Sequence, residues 1–298
     1  MFNWKVEVTM KILSAKQSME IVIIGAGGNG SHFFRNLLQD LAIYKNSTVR
    51  TSKVSITIVD GDLVEKKNLS NQLFDEDDIG ISKVDALCER YGTHYNIDCY
   101  AIDRYITSIE ELSALFLHPD KLSVLVSCVD NNRTRMLMHE YFHHKDVANL
   151  MYIDVGIEGV ILKEELKDDP RGDKKIQTSG FSGQVVTGYK QSGQVFLPPV
   201  ADVYGTILTD QESVFPTQSC GDDMVNNPQR CETNKLAAQM TNVVLNNLFF
   251  TGELLQEEIT FNARFGTSQV RFIPKRIEDE FINFFKERLN NDTSSIVS

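Results

Sequence analysis

Between Glu20 and Asp60 the chain runs an apolar strand, a glycine-rich turn, a helix and a second apolar strand that ends on an acid. The turn reads Gly25-Ala26-Gly27-Gly28-Asn29-Gly30-Ser31, directly after Ile21-Val22-Ile23-Ile24 and directly before the helical stretch His32 to Leu41. A chain written this way is committed to a strand-turn-helix unit that cradles phosphate. Without side chains at 25, 27 and 30 the backbone can turn sharply, approach an anion closely and pack the new helix against the sheet, with the free N–H groups of the helix start facing the anion. The second strand, Val54 to Val59, delivers Asp60 where a carboxylate accepts from ribose hydroxyls. The glycine pattern alone does not distinguish a dinucleotide cofactor from ATP.

The residues after Asp60 narrow the choice. They read Asp60-Gly61-Asp62-Leu63-Val64-Glu65-Lys66-Lys67-Asn68-Leu69-Ser70-Asn71-Gln72-Leu73-Phe74, then Asp78-Ile79-Gly80-Ile81-Ser82-Lys83-Val84, and after the apolar strand Leu122 to Val126 comes Ser127-Cys128-Val129-Asp130-Asn131-Asn132-Arg133-Thr134-Arg135. From about Glu20 to Pro274 this order and spacing resembles the ThiF/MoeB family, bacterial relatives of ubiquitin-activating enzymes that adenylate a carboxylate with Mg-ATP. In look it is nearest to ThiF-like proteins of plasmid PRTRC systems, through Gly183 to Val186, Leu197-Pro198 and a late cysteine before a helix, Cys231.

The resemblance implies that Asp60, Asp62, Asn68, Gln72 and Lys83 contact nucleotide and that Asp130 holds Mg²⁺. Elementary chemistry agrees: adenylation expels pyrophosphate, so a site must hold three phosphates and a metal and offset growing charge. Lys83 is a point charge suited to phosphate oxygens, and Asp130 ends a predicted parallel strand, where open α/β sheets place their ligand. The expected cofactors are therefore ATP and Mg²⁺. One position departs from the family's Asn-Leu-x-Arg-Gln: the arginine is replaced by Asn71, which leaves the site one cation short unless Arg35, Lys66, Arg133, Arg135 or a partner's arginine compensates.

Alternating strands and helices predict a doubly wound, mostly parallel Rossmann-like α/β sheet with a C-terminal strand-rich extension. The expected layout is an N-terminal extension at 1–19, an adenylation domain at 20–290 with a nucleotide half (20–156) and a substrate or crossover half (157–290), and a frayed tail at 291–298. Helices are expected over Ser82 to Tyr95, Ser108 to Leu117, Asn131 to Lys145, Thr233 to Phe250 and Ile277 to Leu289. Strands are expected near Ile97 to Ile102, Met151 to Val155, Val185 to Tyr189, Gln194 to Leu197, Ile259 to Phe265 and Gln269 to Ile273. The charged stretch Lys163 to Lys175 reads as a loop, Tyr204 to Arg230 as a long irregular segment, and Asp75-Glu76-Asp77-Asp78 as a solvated loop. The pairs Phe249-Phe250 and Phe284-Phe285 read as core or dimer contacts.

In the family a crossover loop passes over the substrate tail, and some members carry there a cysteine that takes the activated acyl group. The candidates are Cys220 and Cys231; the latter, at a predicted helix start where the dipole favours thiolate, fits the pattern better. The plain alternative is a packed thiol. Five widely spaced cysteines (88, 99, 128, 220, 231) imply no disulfide framework, with burial the default for Cys88 and Cys128. Many relatives bind structural zinc through two Cys-x-x-Cys pairs; this chain has none, so no structural zinc is expected.

Two rival readings remain. The glycine loop could bind NAD as in a dehydrogenase, although Asp60 lies farther from the glycines than the usual ribose acid, and an NAD site calls for neither Lys83 nor Asp130. His139-Glu140-Tyr141-Phe142-His143 matches the His-Glu-x-x-His motif of zinc metalloproteases, with Glu164 or Glu165 as a third ligand. On a helix after the Asp130 loop it reads instead as an outer face of the sheet.

The formal net charge of −11 argues against a general nucleic-acid binder. No apolar run approaches the roughly 20 residues of a membrane span and no signal peptide is evident, so a cytoplasmic protein is expected. The expected partner is a ubiquitin-like protein or peptide with a C-terminal carboxylate, and the resemblance implies a homodimer.

Overall fold

The computed structural model describes residues 8–13, 18–45, 54–162, 171–216 and 228–295. Its centre is a parallel block of five strands: β2 (Met19–Ile24), β3 (Val54–Val59), β4 (Tyr100–Ile102), β5 (Leu122–Ser127) and β6 (Leu150–Ile157). Their spatial order is β6-β5-β2-β3-β4, each paired in parallel with its neighbour. A short β1 (Met10–Lys11) pairs separately with β9 (Glu253–Leu254). The chain winds outward from β2 through β3 to β4, then returns to lay β5 on the other side of β2. The sheet therefore reverses direction of growth between β2 and β5, and a crevice opens at the carboxyl ends of these two strands.

Parallel strands are covered on both faces, so their sequences are continuously apolar and their side chains alternate between two cores. Ile21, Ile23, Val124, Val126, Met151 and Ile153 face one core, with Phe33, Phe34, Leu37 and Leu38 of α1 (Gly28–Lys45) and Leu245 and Leu248 of the late helix. Val22, Ile24, Leu125, Leu150 and Tyr152 face the other, against Leu112, Leu137, Met138, Tyr141 and Phe142. The polar exception in β2 is Glu20, buried but satisfied: its carboxylate accepts the N–H groups of Leu117 and His118 at 3.1–3.2 Å.

The extension continues the same sheet without a break at residue 156. β7 (Ser182–Gln191) pairs antiparallel along β6, from Leu150↔Lys190 to Ile157↔Gly183. β8 (Gln194–Leu197) and β10 (Gln256–Asn262) pair with β7, and β11 (Thr267–Phe272) forms the edge of this nine-stranded sheet. The helices after α1 are α2 (Lys83–Leu87), α3 (Thr93–Tyr95), α4 (Ile109–Ser113), α5 (Asn132–His143), α6 (Gly172–Thr178), α7 (Val200–Val203), α8 (Thr206–Thr209), α9 (Cys231–Thr251) and α10 (Lys275–Ser295).

Four local expectations change. The helix read over Ser82 to Tyr95 is broken by a π turn at Cys88–Gly92, which closes on Cys99: a Cβ on Gly92 would lie 2.9 Å from its Sγ. The charged stretch read as a loop becomes α6 over its final residues, while 163–170 lie outside the described residues. Helix α10 runs to Ser295, into the segment read as a tail. The acidic run is not simply solvated. It forms a short 3-10 turn, Glu76–Asp78, whose Asp78 is buried against Arg90 at 2.6 Å, while Asp75 caps the turn and takes the same guanidinium at 2.7 Å.

Phe249 is buried and packs edge-on to Tyr44, and Phe281 and Phe284 join Phe196 in an aromatic cluster under α10. No described helix is long and apolar enough to cross a membrane.

Candidate active site

The turns after β2 and β5 are tied together before any ligand is considered. Gly25 donates its N–H to Val59 at 2.9 Å, and Cys128 donates to Ile24 at 2.8 Å. Gly25 has φ +101°, and a Cβ there would lie 2.7 Å from the Cys128 carbonyl oxygen, so both conformation and space demand glycine. At Gly30 a Cβ would strike the Gly25 carbonyl oxygen at 2.1 Å: α1 packs directly on the turn that launches it. Gly27 is different. Its missing Cβ would meet nothing within 4 Å, and the residue lines a cavity of about 420 Å³.

That cavity sits in the crevice between β2 and β5. Gly25, Gly27, Gly28, Asp60, Asp62, Gln72, Lys83 and Asp130 all line it. Gly30, Asn68 and Cys231 do not. Gly30 acts under the turn; Asn68 is buried in the 3-10 turn Lys66–Ser70, where its side chain accepts the Glu65 N–H at 2.7 Å and so shapes the loop that carries Lys67, Ser70 and Asn71 to the cavity. Cys231 is the first residue of α9 and only partly buried; its near neighbours Pro228 and Gln229 are the lining residues. Cys220 lies outside the described residues.

The acids are held by the backbone. Asp60 accepts the Ala26 N–H at 2.6 Å on one oxygen and the Asp62 N–H at 2.9 Å on the other, which locks the glycine turn to the end of β3. Burial pushes its carboxyl up from the usual range, against the opposing pull of Lys83. Burial would also raise Asp62, but Lys83 at 2.7 Å and the donating Tyr105 hydroxyl outweigh it and hold Asp62 below its ordinary value. Lys83 is 4 % exposed. Burial lowers its pKa, but Asp60, Asp62 and, farther off, Asp130 outweigh that and raise it, so it stays a cation. Asp130 is exposed and accepts no hydrogen bond from the described residues, leaving a hard oxygen ligand of the type Mg²⁺ takes.

Among the described residues three cations besides Lys83 line the cavity. Of the four cations considered from sequence, only Arg135 lines the cavity, and it is already engaged: it pairs with Asp154 at 3.2 Å and donates to the Val129 carbonyl at 2.7 Å. Arg133 instead stacks on Phe215. The additional lining cations are Lys67 and Arg104, neither foreseen; among the described residues the Lys67 ammonium pairs with the exposed Glu65 at 3.1 Å. Asn71 does line the cavity, and its buried Oδ1 has no hydrogen-bond partner among the described residues, like Asn29 Oδ1 and Thr134 Oγ1 on the same walls. Buried polar atoms left this way are costly unless a ligand or water meets them.

A family model described as the ThiF family matches residues 7–246. The chain belongs to the ThiF family. Its fold is similar to solved structures of the E. coli protein MccB. For the structure of MccB with ATP the TM-score is 0.52 at 15 % identity, over 87 % of this chain and 65 % of that one; for MccB with AMPCPP and MccA it is 0.52 at 15 %, over 85 % and 63 %. PaaA gives 0.51 at 17 %, over 87 % and 65 %. The chain thus spans under two thirds of the length of these ThiF-like structures. No curated protein sequence matches it.

Proposed function

We propose that this ThiF-family chain binds Mg-ATP in the crevice cavity and adenylates the C-terminal carboxylate of a peptide or ubiquitin-like protein, releasing pyrophosphate. One observation carries the reading: a glycine turn open at Gly27, a buried but charged Lys83 and an unengaged Asp130 converge on a single cavity at the sheet's switch point. A dinucleotide site would need neither Lys83 nor Asp130. The MccB structures with ATP, and with AMPCPP and MccA, support a nucleotide and a second substrate for this fold.

In this reading the backbone of Gly27 and Gly28 at the start of α1 cradles phosphate, favoured by the helix dipole. Lys83 steadies the phosphates, Asp60 holds ribose, and Lys67 and Arg104 supply the positive charge that Asn71 lacks. Mg²⁺ held at Asp130 would offset phosphate charge as pyrophosphate leaves. The carboxylate oxygen attacks the α-phosphorus, the bond to the pyrophosphate oxygen breaks, and a mixed anhydride with AMP remains. Cys231, just beyond the lining residues Pro228 and Gln229, is the proposed thiol acceptor. By resemblance the working form is a homodimer.

ATP–pyrophosphate exchange driven by peptides with a free C-terminal carboxylate tests the reading. Asp130→Ala should abolish exchange with the thermal melt unchanged; retained exchange removes Asp130 from the mechanism. Cys231→Ala should keep exchange and lose acyl transfer, and survival of both steps would make Cys231 structural.

A further inference from the structure

The His-Glu-x-x-His segment is not absorbed by the adenylation site. It lies on α5, whose last residues turn His139 and His143 toward α7, and there both rings meet the carboxylate of Asp202. His143 Nε2 is 3.0 Å from Asp202 Oδ2 and His139 Nε2 is 3.8 Å from Oδ1. One donor atom from each residue falls within 4.8 Å of the other two. Tetrahedral zinc with bonds of about 2.1 Å sets its donors about 3.4 Å apart, and the two rings reach the two oxygens of Asp202 at distances on either side of that value. Ordinary hydrogen bonding leaves part of this cluster unexplained: His139 Nε2 faces the Asp202 carboxylate but is too far from it for a hydrogen bond.

We infer that His139, His143 and Asp202 form a zinc site on the outer face of the sheet, with the metal stapling α5 to α7. Among the described residues the third ligand is Asp202; Glu164 and Glu165 lie outside them. This zinc is of a kind the absence of Cys-x-x-Cys pairs did not bear on. Its role is binding. Glu140, the base of the protease motif, lines a neighbouring cavity with Ile109, Leu137 and Phe215 that neither histidine lines. A staple here has a clear mechanical sense. The N-terminal end of α5 is already fastened to the segment after α8, where Asn132 donates to Asp210 at 2.7 Å. Zinc would fasten the other end, so the helix that follows the Asp130 loop would be held at both termini against one connecting segment.

The test is zinc content and affinity of the untagged full chain, by equilibrium dialysis with elemental analysis. The inference expects one zinc per chain, a thermal melt that zinc raises, and binding at least about tenfold weaker in both His143→Ala and Asp202→Ala, since even outer partners of metal ligands cost about that much. His144→Ala, which removes a neighbouring ring placed 3.7 Å from Asp146, should leave zinc binding unchanged. No zinc on the wild type, unchanged affinity in the two ligand variants, or an equal loss in His144→Ala would overturn it.

Discussion

Alanine at Gly27 and at Gly30 should have opposite consequences, and the contrast separates a cradle from a packing contact. At Gly30 the new Cβ would lie 2.1 Å from the Gly25 carbonyl oxygen, about 0.9 Å inside the 3.0 Å that real Cβ atoms respect, and its obstacle is backbone. Helix α1 or the turn must move, at an overpacking cost of about 1–3 kcal/mol. At Gly27 the Cβ meets nothing within 4 Å, so the fold has no reason to object. Removing glycine's freedom in the unfolded chain should even stabilise by about 0.4–1 kcal/mol. The methyl would instead occupy the approach to the backbone N–H groups. Losing one charge-assisted hydrogen bond of about 1.5–3 kcal/mol weakens ATP about 10- to 150-fold. Urea denaturation and calorimetric titration with Mg-ATP, on both variants, read the two effects apart. A Gly27→Ala protein that binds ATP as tightly as wild type would refute the assignment of this turn as the phosphate cradle, whatever its stability.

Two further outcomes follow from buried charge. Asp154 is fully buried and Arg135 nearly so, and Asp154→Ala would leave the guanidinium without its 3.2 Å partner; unfolding free energy should fall by about 3–5 kcal/mol, measured in urea, and a loss below 1 kcal/mol would contradict the pairing. His32 has its pKa lowered from 6.5 to about 4 by burial, then by Lys235 and Arg35. The unfolded chain therefore takes a proton that the folded chain refuses, so its contribution is intact above about pH 6.5 and is lost as pH falls toward about 4. His32→Gln should flatten the fall in stability between pH 7 and pH 5, and an unchanged slope would exclude His32 as a source of it.

Much of the site was legible because its residues answer steric and electrostatic demands that sequence displays. Glycines at 25, 27 and 30 were each expected for turning, close approach and helix packing, and the three positions show a positive φ, an open Cβ and a backbone contact in turn. A doubly wound, mostly parallel sheet followed from alternating apolar runs, but the spatial order of its strands and the approach of Gly25 to the Cys128 carbonyl did not. What sequence could not supply was which long side chains turn inward. Lys66 and Lys67 are adjacent in the chain, yet only Lys67 lines the cavity, because one residue along a 3-10 turn changes the facing direction. Arg104 comes from beyond β4, with no pattern linking it to Asn71.

Other features left a signal that went unused. An acid inside the apolar run Met151 to Val155 must be paired if buried, and Asp154 finds Arg135 from the preceding helix. Asn234, fully buried and set where a Cβ on Gly28 would meet its Nδ2 at 2.5 Å, supports the glycine turn from α9, a contact between residues more than 200 positions apart. Asp202 is likewise distant in sequence from the histidines it faces, so the local motif was visible while its third donor was not.

The most direct test of the central claim needs no knowledge of the acyl substrate: calorimetric binding of Mg-ATP and of NAD to wild type and to Lys83→Ala. The account predicts that wild type binds Mg-ATP in preference to NAD and that the lysine variant binds it at least about tenfold more weakly, because a buried cation is removed from beside the phosphates. NAD binding that ignores Lys83, with no ATP binding, would contradict it and return the glycine turn to a dinucleotide role.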